Sequence, residues 1–434
     1  MTATTNQGLT DRAGTRRDVD VAVVGGGLAG LATATLAARR GLTVALFEQQ
    51  TLGGRARSST TETGFTLNQG PHALYVSAAG RPVLEACGVE PRGGAPSTKG
   101  ALGSRDGTVG LLPGGVGSLV RSRLLSGRAK PGLAWLLATF ARRRPSGSMS
   151  AAEWFASLSG DADVWAMFAA LTRLTCYVAD TEAVSADVAH LQIGHALGDG
   201  VQYLDGGWQQ LVDGLAAQAQ AAGVDIVEHG RVTEVSSGVV RHDGGEVRAR
   251  AVIVAGLSPR AAASVVSGAP DLSDAAGPPV EAATLDLGVR GLPEHSFVLG
   301  IDEPLYCSRH DPPADLAPEG HSLYGLMRYL RPGEHHDRHE TAAELEAHAA
   351  HAGLAAGDIV ERRYQHRLTV AHGMPLAARG GLSGRPGVDA LGVPGVYLAG
   401  DWVGPDGMLA DASLASAAAA VEAAGRRLAT QAAA

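Results

Sequence analysis

Cysteine, lysine and aromatic side chains are scarce in this chain, and long apolar runs are missing. Cys87, Cys176 and Cys307 are the three cysteines among 434 residues. Their odd number, with no CxxC or metal-ligand spacing, excludes a disulfide framework and argues against a bound metal; buried free thiols in a reducing compartment are the expectation. Lys99 and Lys130 are the only lysines, so the basic side chains are almost all arginine. A formal charge of −8 leaves no basic excess, which excludes a general nucleic-acid binder. No apolar run approaches the roughly 18 residues that a membrane-spanning helix needs. Residues 1–18 are polar, lack the apolar core of a secretory signal, and read as a disordered lead-in. The expected location is the cytoplasm, with the inner face of the membrane as a peripheral alternative.

Glycine, by contrast, is plentiful at 59 residues, and its placement near the start is informative. The apolar run Val19 to Val24 meets Gly25-Gly26-Gly27-Leu28-Ala29-Gly30 and then an Ala/Leu-rich segment with helical spacing, which predicts strand, tight turn and helix. Gly25 permits the bend, Gly27 lets the backbone approach a pyrophosphate, and Gly30 lets helix and strand pack closely. The helix start, from Leu28 and Ala29, turns free N–H groups toward the phosphates. A second apolar run, Thr43 to Phe47, ends at Glu48, where a carboxylate can accept hydrogen bonds from ribose hydroxyls and disfavours a 2′-phosphate. The predicted fold class is α/β with a Rossmann-type dinucleotide-binding unit.

Gly53-Gly54-Arg55-Ala56-Arg57 follows shortly after Glu48. With Gly64-Phe65, Asn68-Gln69-Gly70-Pro71-His72 and Gly400-Asp401, this element resembles the flavin amine oxidase and phytoene desaturase superfamily. The resemblance touches both ends of the chain and implies FAD as cofactor. It implies a glutathione-reductase-like FAD-binding domain assembled from residues 19–72, 204–278 and 385–434. An α+β substrate domain with an antiparallel sheet would then come from 73–203 and 279–384. It further implies that Gly53, Gly54 and Arg55 lie near the pyrophosphate, that Gly70, Pro71 and His72 pass the isoalloxazine ring, and that the Val232 backbone meets the adenine. Asp401 would accept a hydrogen bond from the ribityl chain, with Met408 and Leu409 as ring contacts at a helix start whose dipole favours negative charge on the reduced ring. His72 is the titratable side chain of its segment; proton transfer and a structural hydrogen bond are its two readings.

Between these motifs, Ser118 to Arg144 interleaves leucines and Trp135 with Arg121, Arg123, Arg128, Lys130 and Arg142 to Arg144. Such a basic amphipathic segment reads either as a peripheral membrane contact over 118–144 or as an ordinary surface helix pair. Residues 151–199 look helical, and Trp154, Phe155, Trp165, Met167 and Phe168 could roof a cavity or simply form core. Gln209 to Ala222 reads as a helix returning to the cofactor domain; 282–289, 297–300 and 322–329 read as antiparallel strands. His335, His336 and His339 lack a ligand pattern and read as a solvated loop or helix start, so no metal is expected.

Three functions remain open at this point. The favoured one is hydride removal from a C–H bond of a small apolar, isoprenoid-like or secondary-metabolite substrate, as in a desaturase or dehydrogenase. The second is a peroxide-producing amine oxidase; the resemblance implies a lysine beside the flavin in many such enzymes, and this chain has no lysine after Lys130. The third is a non-redox or lipid-binding flavoprotein.

Overall fold

The computed structural model describes residues 17–433. Its first sheet has seven strands, in the order Asp225–Glu228, Val44–Glu48, Arg17–Val24, Gly245–Ala255, Val239–His242 and Val232–Ser236, with Val396–Ala399 also paired to Gly245–Ala255. The strands at 225–228, 44–48, 17–24, 245–255 and 396–399 pair in parallel, and 232–242 adds an antiparallel ribbon. Parallel sheets need cover on both faces, and the opening strand shows it: Val21, Ala22 and Val23 are all fully buried. Val21 and Val23 pack with the helices Leu28–Arg39, Gln209–Ala221 and Leu409–Ala433. Ala22 and Val24 face the other way, toward Val235, Ala262 and Trp402. Each buried valine or leucine here contributes about 1.5–3 kcal/mol of transfer free energy before the entropy of ordering it.

Register brings the strand ends to one edge. Val24 lies opposite Phe47 and Val254, and Ala255 opposite Ala399. The turns at Gly25, Gly256 and Gly400 therefore leave the same carboxyl edge, where open α/β sheets receive ligands.

The second sheet also has seven strands: Ile359–Ala371, Val280–Arg290, His321–Leu330, Leu305–Asp311, Phe297–Gly300, Leu102–Arg105 and Thr108–Leu111. All neighbours are antiparallel except Phe297–Gly300 with Leu102–Arg105. One face packs on the helix Arg338–Ala350 through Leu285, Leu326 and Leu345. Ala282, Met327 and Tyr329 form a cluster on the opposite face. The strand Ile359–Ala371 gives no alternating apolar signal because it is an edge strand whose arginines are paired: Arg363 with Asp286 and Arg367 with Glu281.

Arg17 and Asp18 do not belong to a lead-in. They pair with Val247 and Arg248 and lengthen the opening strand; the rest of that expected segment, residues 1–16, lies outside the described residues. Trp154, Phe155, Met167 and Phe168 form core with Leu133, Leu136 and Phe140, since the apolar faces of their helices meet one another, while Trp165 is exposed. Asp337 caps the helix Arg338–Ala350, so the histidine-rich piece is a helix start. All three cysteines are buried and free. Among the described residues no helix is long and apolar enough to cross a membrane.

Candidate active site

A cavity of about 480 Å³ lies along the carboxyl edge of the first sheet and reaches residues of the second, among them Thr284, Met327 and Leu368. One end is made of backbone. Gly25, Gly27, Leu28, Ala29 and Glu48 line it. Gly25 has φ +105°, and a Cβ there would lie 2.2 Å from the Ala255 carbonyl oxygen. Gly27 is the N-cap of the helix Leu28–Arg39 and carries no competing side chain, so the free N–H groups of the first turn stay accessible. Gly30 does not face the cavity; its Cβ would sit 1.8 Å from the Gly25 oxygen, which makes it the close-packing residue its spacing predicts. Glu48 accepts hydrogen bonds from the Gly26 N–H at 2.7 Å and the Gln50 N–H at 2.8 Å. A carboxylate has about four lone-pair sites, so capacity remains for a ribose diol.

The other end is made of side chains from distant segments. Gly53 (φ +107°) and Gly54 turn the chain beside Gly27, and from there Arg55 reaches away from the phosphate end to pair with Asp401 at 2.8 Å. Its guanidinium also donates to the Val370 carbonyl at 2.8 Å and approaches His372 Nδ1 at 3.3 Å. Asp401 is almost fully buried, and its Oδ2 also accepts from the His372 backbone N–H at 3.1 Å. Burial alone would raise this carboxyl, but Arg55 and His372 outweigh it and hold Asp401 well below the usual carboxylate range. Its Oδ1 has no partner at hydrogen-bond distance, His372 Nδ1 facing it from 3.6 Å. A buried carboxylate oxygen that makes no hydrogen bond, on a residue that lines a cavity, fits a hydroxyl-bearing ligand such as the ribityl chain of FAD.

The segment Gly70-Pro71-His72 lines the cavity and is held from behind. Asn68 Oδ1 accepts from Ser58 Oγ at 2.7 Å and from the Trp208 N–H at 2.9 Å. Arg363 donates to the Asn68 carbonyl and to the Asp286 carboxylate. The His72 ring lies edge-on to Trp208 at 4.8 Å, with Nδ1 2.8 Å from the Gly70 carbonyl. That oxygen can only accept, so Nδ1 carries the proton. Burial is the main reason the ring's pKa is lowered.

Three of the expected contact residues are not in the cavity lining. Val232 is outside the cavity lining; it sits half-buried in the antiparallel ribbon of the first sheet, paired with His242. Met408 turns into the core shared with the helices of 151–197 and is fully buried there, so of the expected pair Leu409 alone lines the cavity. Gly400 lies behind the wall, its N–H donating to Ser416 Oγ at 2.9 Å. Of the aromatics Trp165, Tyr177, Tyr324, Tyr364 and Trp402, Tyr177 faces the cavity. Sequence reading missed Trp208, His372 and Arg385. Arg385 is buried and ties the 401–407 loop together by donating to the Asp401 and Gly407 carbonyls. None of the three sits at a diagnostic spacing, so no local signal marks them.

The family model for DAO, FAD-dependent oxidoreductases, matches residues 20–421. Over 60 residues the chain is 50% identical to a carotenoid phi-ring synthase of Streptomyces griseus, a match spanning 13% of this chain and 12% of that protein. An oxidoreductase from Methanosarcina mazei superposes with a TM-score of 0.74 at 19% identity, covering 93% of this chain and 100% of its own. A putrescine oxidase variant with a redesigned cofactor site superposes at 0.71 and 17% identity, covering 95% and 99%. At such identities the likeness is one of fold. The family's pattern, however, runs through nearly the whole chain around a cavity that fits the family's cofactor, and the protein belongs to the DAO family of FAD-dependent oxidoreductases.

Proposed function

We propose that this enzyme removes a hydride from a C–H bond of an apolar substrate, isoprenoid-like or a secondary metabolite, as a desaturase or dehydrogenase does. The observation that carries this reading is the apolar part of the cavity wall, where Tyr75, Tyr177, Met327, Leu368 and Val370 line the same cavity as His72. A wall of this kind holds a hydrocarbon chain by burial and excludes water. FAD, when bound, supplies the hydride acceptor. The protein's own part is positional. Glu48 and Asp401 receive hydroxyl groups at the two ends of the cofactor site, Arg55 holds Asp401 charged, and His72, neutral near pH 7, steadies the 70–72 segment through Nδ1–H. The short likeness to a carotenoid phi-ring synthase supports a lipophilic substrate.

Amine oxidation is the second reading, favoured by one observation. Asp411 lines the cavity, and its Oδ1 accepts from the Gly80 N–H at 2.8 Å. Its carboxylate could receive an ammonium group. The test is anaerobic titration of the purified holoenzyme. Bleaching of the flavin band by fractionated lipids, with no response to primary amines, is the expected result. Bleaching by amines, with peroxide released in air, would replace the first reading with the second; no bleaching by either would favour a non-redox role.

A further inference from the structure

From Gly107 to Ala152 the chain has no aspartate or glutamate and seven basic side chains, although the whole protein carries −8. Two helices of this stretch, Val116–Arg121 and Ala129–Thr139, are pinned together by Lys130, whose Nζ donates to the Val120 carbonyl at 2.8 Å. Their inner side is committed to the fold: Leu124, Leu125, Leu133, Leu136 and Phe140 pack with Trp154 and Phe168. Their outer side is not. Val116, Val120 and Trp135 are 83%, 67% and 57% exposed, and the Arg143 guanidinium lies 4.2 Å over the Trp135 ring. Arg128 is paired with Asp161. Among the described residues, Arg121, Arg123, Lys130 and Arg142 to Arg144 form no salt bridge.

We propose that this outer face docks on an anionic phospholipid bilayer. Isolated exposed apolar residues are ordinary on a protein surface. What is not ordinary is two exposed valines and a tryptophan on joined helices, set among cations in a stretch that itself carries no carboxylate, in an acidic protein. Valine and tryptophan side chains enter the acyl boundary, arginine and lysine stems extend so that their charges stay at the phosphates, and tryptophan favours the headgroup level. Charge decides between a bilayer and a neutral apolar partner, because unpaired cations gain from the negative surface potential and gain nothing from a neutral face. The inference is independent of which substrate is oxidised.

The test is co-sedimentation of the full-chain holoenzyme with phosphatidylcholine vesicles, with and without phosphatidylglycerol. Binding is expected with phosphatidylglycerol and should be weakened by salt. Replacing Arg142, Arg143 and Arg144 by Gln should weaken it about a hundredfold. Val120→Ser with Trp135→Ser should weaken it about tenfold. These sites are on the surface, so unchanged flavin absorbance and melting serve as the folding control. Absence of binding to anionic vesicles, equal binding to phosphatidylcholine alone, or wild-type binding by both variants would each overturn the proposal. Self-association without lipid that is lost on Val120→Ser would overturn it too, assigning the face to contact between copies of the chain.

Discussion

The two ends of the cavity are built from different material. At the nucleotide end the walls are backbone: glycines that permit close approach, a helix start, and one carboxylate at the end of a strand. At the flavin end the walls are side chains delivered from residues 55, 72, 208, 372 and 401, each held by partners far away in sequence. A backbone site depends on the absence of atoms, and a side-chain site on the convergence of atoms. The two should therefore fail differently when altered.

Gly30→Ala breaks the first kind most severely, because the new Cβ would sit 1.8 Å from the Gly25 oxygen. A loss of about 3 kcal/mol or more in chemical denaturation is expected, together with loss of bound flavin. Asp411→Asn acts at the other end with the opposite sign. Burial pushes the Asp411 carboxyl up to about 6, so the folded protein holds its proton more tightly than the unfolded chain does. That stabilisation is complete below about pH 4 and is lost as pH rises through the folded value; by pH 7 the variant should exceed wild type by about 3 kcal/mol, and the gap should vanish near pH 4. A gap independent of pH would show that this carboxyl does not titrate as its burial implies.

Arg55→Ala strips Asp401 of its guanidinium. About 2 kcal/mol is expected at neutral pH, less than for a wholly buried pair because Arg55 is partly solvated. The Asp401 carboxyl is depressed in the folded protein, so its contribution is present above the unfolded pKa and lost as pH falls; the difference from wild type should shrink below about pH 4. Glu48→Ala should leave the fold intact and cost about 1–3 kcal/mol in FAD affinity, read from flavin retained on dialysis. The smallest effect is expected for His72→Ala: a fall in kcat of less than about tenfold with an unshifted pH profile, since the ring positions a segment rather than moving a proton. Loss of a limb of the pH profile would instead make His72 an acid–base group.

The contrast also explains what could be read in advance. Gly25, Gly27, Gly30 and Glu48 lie on one continuous run of strand, turn, helix and second strand, so their spacing carries their geometry. Met408 was misplaced because membership of a helix start does not say which way a particular residue faces. Trp208, His372 and Arg385 left no trace in spacing, since each works through a contact with a residue more than ten positions away. The edge strand Ile359–Ala371 was hidden by its arginines, whose partners lie on neighbouring elements.

By itself, then, the sequence determined the dinucleotide unit, because that follows from local periodicity and from glycine's freedom at a turn, while the cofactor class and the division into a parallel and an antiparallel sheet came from its resemblance to a known superfamily. The tertiary structure alone decided the Asp401–Arg55–His372 cluster, the apolar wall at Tyr177 and Met327, and the buried state of Asp411. Those depend on the register of strands drawn from opposite ends of the chain, and a register is settled by packing and hydrogen bonding summed over the whole fold, not by any window of residues within it.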